Sequence, residues 1–253
     1  MTFTRIRMTK TTTTPVNESF CIPSMNPFAK WMHVRALKRE NPWSSFWLDP
    51  LPIHRKEPEH KYVWEPTNED LLYSTTQATN NKTEEALAHI ERYRYGPYGW
   101  EARGKKVHWC LERKMLGDPL PDPELYGEWV EPLLNDPFWK NFEPWAVEYM
   151  LCDLKKSVGG QLDLLGYDHA SNRLMLIDLK SQSKSGRTYS TNAQLGSYVE
   201  ALKTHHGLEV DVCKTIWAKP NKTTIGDDQP VEECLDAWHQ AWERFKQKQD
   251  IDF

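Results

Sequence analysis

GGQLDLLGYDHASNRLMLIDLKSQ, residues 159–182, reads as two apolar strands joined by the polar turn DHASN. Asp163 interrupts the first strand, and Asp178 and Lys180 interrupt the end of the second. Hairpin pairing about a turn near residue 170 brings Asp163 beside Asp178. Alternation points Asp178 and Lys180 the same way as Leu174 and Leu176, while Met175, Ile177 and Leu179 point the other way. A strand apolar on both faces is a central, buried strand. Three charges are therefore expected to converge at one end of a buried sheet.

Adjacent carboxylates in an apolar setting repel one another unless a cation sits between them. Two carboxylates and a backbone carbonyl suit a hard divalent ion such as Mg²⁺ or Mn²⁺. A lysine two residues on can orient a water or neutralise charge on a phosphate in transfer. The set thus fits metal-assisted phosphodiester hydrolysis. An isolated D-x-K is more ordinarily a salt bridge at a sheet's end, so the reading needs the surrounding pattern.

Around the hairpin the chain alternates helices and strands. AVEYMLCDL, before it, alternates like a strand. After it come the helix TNAQLGSYVEALKTHH closed by Gly207, the strand EVDVCKTIWAKP and a final amphipathic helix, PVEECLDAWHQAWERFKQKQ. Upstream, residues 101–116 predict a helix ending at Gly117, and 124–142 a helix broken near Pro132 and Pro137. NKTEEALAHIERY predicts a helix with a capping box from Asn81 to Glu84. PFAKWMHVRALKRE predicts a short helix after Pro27, and the Pro- and Trp-rich stretch to about residue 66 reads as irregular. The order is that of an α/β domain with helices against a sheet.

The pieces Gly160-Gln161-Leu162-Asp163, Asp178-Leu179-Lys180 and Gln194-x-x-x-Tyr198, with Gly104-x-x-x-His108 upstream, resemble the RecB-like, phage lambda-type exonuclease branch of the PD-(D/E)XK nuclease superfamily. The resemblance spans about residues 100–220. It implies a restriction-endonuclease-like core: a mixed central β-sheet flanked by helices, here with a Trp/Pro-rich N-terminal arm. The chain then divides into a tail (1–25) read as disordered because it is polar and without periodicity, an N-terminal helical or irregular extension (26–99) with no counterpart in the family, and the nuclease domain (100–253).

The resemblance also implies roles. His108, Asp163, Asp178 and the Leu179 carbonyl hold the metal, Lys180 is the catalytic lysine, and Gln194 and Tyr198 help place the strand being cut. Glu148 matches an acid on the preceding strand and is read as supporting the ligands rather than binding the ion. In the loop SQSKSGRTYSTN, Lys184, Arg187 and Tyr189 are candidates for gripping phosphates and stacking on a base. The expected activity is a Mg²⁺- or Mn²⁺-dependent nuclease, foremost an exonuclease on linear DNA in recombination, repair or phage DNA processing. The alternatives are a catalytically dead nucleic-acid- or partner-binding protein and a structure-specific endonuclease. A recombination or single-strand-binding partner and an oligomer are compatible with the type.

Composition narrows this little. The net charge of −4 gives no general pull toward nucleic acid, so an anion-binding surface must be local. Twelve Trp make a core feasible in a chain only 39% hydrophobic. Five Cys without a CxxC pair argue for reduced thiols in the cytoplasm, and against the four-cysteine iron–sulfur cluster that some relatives hold. No apolar run is long enough to span a bilayer. The basic, Thr-rich start shares its composition with organellar transit peptides but reads as a disordered tail.

Overall fold

The structure, a computed structural model, describes residues 46–57 and 59–250. The tail and the helix expected after Pro27 lie outside the described residues.

The fold is mixed α/β, with a mixed central sheet flanked by helices, consistent with a restriction-endonuclease-like core. Its long strands are β5 (Phe142–Asp153), β6 (Val158–Asp168), β7 (Arg173–Ser181) and β8 (Val212–Lys219). β5, β6 and β7 run antiparallel in sequence; β8 lies parallel to β7, and the short β9 (Lys222–Ile225) closes that edge. The hairpin pairs Leu164 with Ile177 and Asp168 with Arg173, one residue from the register read in the sequence.

The two faces of β7 separate as its alternation requires. Leu174 and Leu176 pack with Leu195, Tyr198 and Leu202 of a helix at Asn192–His206. Met175, Ile177 and Leu179 pack with Val107 and Leu111 of a helix at Trp100–Leu116, and with Val130 and Leu133 of another at Gly127–Leu134. Each such side chain contributes about 2 kcal/mol by leaving water, so the strand is fixed from both sides. Gly117 and Gly207 end their helices in the left-handed conformation, as their positions predict. The last helix, Val231–Gln249, buries Cys234, Trp238, Ala241 and Trp242.

In chain order the helices are α1 (Thr75–Ala78), α2 (Glu84–Glu91), α3 (Trp100–Leu116), α4 (Gly127–Leu134), α5 (Asn192–His206) and α6 (Val231–Gln249). Three expectations change. The α2 cap is Thr83, whose hydroxyl accepts from the Ala86 N–H, in place of Asn81. Pro132 sits inside α4 rather than breaking it; the Glu128 carbonyl that the ring leaves unpaired accepts from the Asn221 N–H at 2.7 Å, and burial of Val130, Leu133 and Leu134 holds the turn.

The third change concerns the arm. The stretch read as irregular contains a three-stranded antiparallel sheet, β1 (Ile53–Lys56), β2 (Lys61–Trp64) and β3 (Glu69–Asp70). Beyond it β4 (Tyr73–Ser74) joins the central sheet beside β6. Strands this short carry too few residues for periodicity to register. Among the described residues no helix is long and apolar enough to cross a membrane.

One detail of the ladder positions everything that follows. Along one edge β6 pairs with β5 over nearly its whole length. Along the other it pairs with β4 at Val158 and Gly159, and with β7 only from Leu164 onward. Residues 160–163 pair with neither strand on that edge. The sheet splits there, and the split exposes Asp163 and the end of β7.

Candidate metal and nuclease site

Four elements meet at the split. α3 delivers His108, because Val107 and Leu111 on the same helix are buried against Leu179 of β7. That packing sets His108 Nε2 3.1 Å from the Leu179 carbonyl oxygen. Its Nδ1 lies 2.9 Å from Glu148 Oε1 on β5 and 3.4 Å from Asp163 Oδ1 on β6. The Leu179 N–H donates to Asp163 Oδ2 at 2.6 Å, so one residue of β7 offers its amide to the aspartate and its carbonyl to the histidine.

Glu148 takes more of the site than sequence reasoning gave it. His108, Glu148 and Asp163 bring ligand atoms within 4.8 Å of one another. Glu148 lies between the pairs Val147–Leu164 and Tyr149–Leu162, so it faces Asp163 across the ladder. Its φ is +45° in the middle of a strand. A non-glycine residue in that region costs on the order of 1–3 kcal/mol and persists where the surroundings over-determine it. Here Gln161 Nε2 donates to Glu148 Oε2 at 2.7 Å, and Arg55 of β1 donates to Gln161 Oε1 at 3.3 Å. The arm thus reaches the site through Arg55 and Gln161. Neither carried a signal in the sequence, because the contact spans more than a hundred residues.

Asp178 stands on the α5 side. Its Oδ1 accepts from Lys180 Nζ at 2.7 Å, and its Oδ2 is buried with no hydrogen-bond partner among the described residues. Lys180 also donates to Gln194 Oε1 at 3.2 Å, and Gln194 Nε2 donates to the Tyr198 hydroxyl at 3.0 Å. Gln194 and Tyr198 lie one turn apart on α5, as their spacing predicts. The glycine of G-x-x-D has its reason here: a Cβ on Gly160 would lie 2.7 Å from the Tyr198 ring and 2.6 Å from Thr75 Oγ1.

The electrostatics follow from burial and surplus negative charge. Burial pushes the Asp178 carboxyl up to about 6; Lys180 pulls it down and Asp163 adds repulsion. Asp163 is raised as well, by burial first, with His108 opposing. Burial alone would lower the His108 pKa, but Asp163 and Glu148 outweigh it and raise it to about 9. Asp178 and Asp163 likewise overcome burial at Lys180 and hold its ammonium above the ordinary lysine range. Both nitrogens of the His108 ring face oxygen atoms, the arrangement of an imidazolium.

The donor set fits a hard divalent ion on two observations. Asp178 Oδ2 is an orphaned buried carboxylate oxygen, costly unless a cation completes it. His108, Glu148 and Asp163 each bring one ligand atom within 4.8 Å of the others, close enough for a single ion to gather them once the ring gives up its proton.

Beside the site runs a groove of about 1280 Å³ lined by His108, Leu179, Lys180, Gln194 and Tyr189. Tyr189 packs edge-on against Trp217 at 5.0 Å, with Lys82 Nζ 5.5 Å from its ring. Of the loop residues singled out in the sequence, only Tyr189 lines the groove. Lys184 and Arg187 are exposed outside it.

Residues 127–251 match the family described as the PD-(D/E)XK nuclease superfamily. The matched span contains Glu148, Asp163, Asp178, Lys180, Gln194 and Tyr198, while His108 precedes it. The matched superfamily is one of nucleases. No curated protein matches the chain. Among solved structures, the one titled "Crystal structure of SSO0001" is similar over 68% of this chain and 75% of that chain, at 12% identity and a TM-score of 0.34.

Proposed function

We propose that the protein is a Mg²⁺- or Mn²⁺-dependent deoxyribonuclease that acts as an exonuclease on linear DNA. The observation that carries the reading is the split between β6 and β7, where Asp163 clusters with His108 and Glu148, Asp178 pairs with Lys180, and His108 and Lys180 line a groove of about 1280 Å³. The sequence resemblance to RecB-like and lambda-type exonucleases supports the exonuclease assignment, with recombination, repair or phage DNA processing as its setting.

His108, Asp163, Asp178 and the Leu179 carbonyl would hold the ion, and Glu148 is close enough to His108 and Asp163 to join them. When bound, the ion supplies the Lewis acidity that neutralises the scissile phosphate and activates a water. Lys180 keeps its proton at neutral pH, since Asp178 and Asp163 hold its pKa high. It therefore works as a donor that orients the attacking water and offsets charge on the phosphorane, rather than as a base. Asp178 and Gln194 fix the ammonium between them, and Tyr198 fixes Gln194. Tyr189 offers an exposed ring to a base at the groove.

The test is purified protein incubated with linear duplex, linear single strands, covalently closed circles and RNA, with Mn²⁺, Mg²⁺ or EDTA. Degradation of linear DNA alone, dependent on metal, is the expected result. Cutting of closed circles would make it an endonuclease. Binding without degradation under every condition would leave a nucleic-acid-binding protein on a nuclease fold.

A further inference from the structure

Arg103 lies on α3, five residues before His108, and is only 9% exposed. It lines the same groove as His108 and Lys180. Among the described residues no carboxylate pairs with it. Its contacts are two long hydrogen bonds to Ser181, from Nε to Oγ at 3.4 Å and from Nη2 to the carbonyl at 3.5 Å, and the Trp129 ring 5.5 Å below. Trp129 is pinned in turn, its indole N–H donating to the Gln182 carbonyl at 2.6 Å. A guanidinium has five N–H donors and keeps its charge at any ordinary pH. Burying one without a counter-ion is costly; even the more exposed Arg94 and Arg173 are paired, Arg94 with Glu91 and Glu101 and Arg173 with Asp228.

We propose that Arg103 is a phosphate-binding residue that positions the strand being cut by gripping the backbone phosphate next to the scissile one. The inference rests on the nuclease reading of the site. Ser181 follows Lys180 directly along β7, and a strand advances about 3.3 Å per residue. The guanidinium sits at the end of that strand on the wall of the groove that His108 and Lys180 also line, on a stacked and hydrogen-bonded base that holds it there. A phosphate oxygen there supplies the missing negative charge through a forked, charge-assisted contact. Such a contact carries no sequence information, and it sets register.

Arg103→Met keeps the stem on Trp129 and removes the charge; Arg103→Lys keeps the charge and removes the fork. Thermal melting without metal should show Arg103→Met at or above the parent, because a cation without a partner has been removed. Inorganic phosphate should raise the parent's melting temperature and leave that of Arg103→Met unmoved. On linear DNA, KM should rise about tenfold or more in Arg103→Met with kcat within about twofold, and Arg103→Lys should fall between. The slope of log Kd against log salt should shrink by about 0.7 to 0.9, one phosphate contact. A lower melting point together with parental KM and salt slope would overturn the proposal and make Arg103 a packing residue. If Arg103→Met does not fold, parental KM and salt slope in Arg103→Lys overturn it equally. If the parent cuts no nucleic acid yet phosphate stabilises it through Arg103, the anion site stands and the nuclease reading falls.

Discussion

Two lysines at the margins of the central sheet each meet a carboxylate at 2.7 Å, and they sit in opposite circumstances. Lys156, in the turn between β5 and β6, is shared by Asp153 and Glu200 at 2.7 and 2.8 Å. Glu200 is completed by the Trp238 indole N–H at 2.6 Å, and these donors overcome its burial to hold its pKa below the usual range. Every polar atom there is answered. Lys180, at the end of β7, stands among Asp178, Asp163 and Glu148 with His108 as the other cation. Three carboxylates face two cations, one oxygen has no partner, and the backbone at Glu148 is strained. The first cluster is a closed structural knot. The second is stable only because the rest of the fold holds it, and its surplus charge is what a divalent ion would complete.

The contrast can be broken most sharply at Lys180 and Asp178. Lys180→Ala and Asp178→Ala should each lower cleavage of linear DNA by about a thousandfold or more while far-UV circular dichroism stays parental. Activity in either variant would remove the proposed mechanism. Mn²⁺ should raise the melting temperature of the parent and not of Asp178→Ala; equal shifts would take Asp178 out of the ligand set.

Glu148→Gln should lower cleavage about 10- to 100-fold, the range expected for a group that orients or joins the ligands. A parental rate at saturating Mn²⁺ would reduce Glu148 to a structural role and leave its positive φ without a functional reason.

The Lys156 knot should answer in stability instead. Lys156→Met leaves Asp153 and Glu200 without their cation, and chemical denaturation should show a loss of about 2 kcal/mol. Cleavage per folded molecule should be unchanged, and a loss there would mean the two clusters are coupled through β6.

In chelator, the pH profile of stability separates them again. The folded Asp178 carboxyl, at about 6, keeps a proton that the unfolded one near 3.8 has lost. Stability therefore falls as pH rises from about 4 to about 6. His108, at about 9 when folded and near 6.5 when unfolded, adds stability that is full below about 6.5 and lost as pH rises toward 9. Melting in EDTA across that span should show both limbs, and Asp178→Asn should flatten only the lower one.

The smallest effect is expected at Gly104. A Cβ there meets only Ser181 Oγ at an ordinary 3.7 Å, so Gly104→Ala should add about 1 kcal/mol of helix stability. A drop in cleavage alongside that gain would show that the strand passes close to α3 at this point.

The long elements were legible because their signals are local. β6 and β7 announce themselves by alternation around DHASN, α5 by Gly207, and α6 by its Trp stripe. Asp163, Asp178 and Lys180 stood out because charge at the end of an apolar strand is expensive. The larger part that Glu148 takes in the site was not legible. An alternating AVEYMLCDL puts Glu148 on a face, but nothing in it shows a left-handed residue turned toward His108. Lys184 and Arg187 had the right chemistry for phosphates, yet the loop carries them away from the groove.

By itself the sequence determined the buried hairpin, the helices against it and the meeting of three charges at its end, since period and cost are properties of neighbouring residues. Only the tertiary structure decided where the sheet splits, that β1 braces Glu148 through Arg55 and Gln161, and that Arg103 is buried beside Ser181 with no carboxylate paired to it among the described residues. Those facts join residues far apart in the chain, and their energies exist only once packing has brought the segments together.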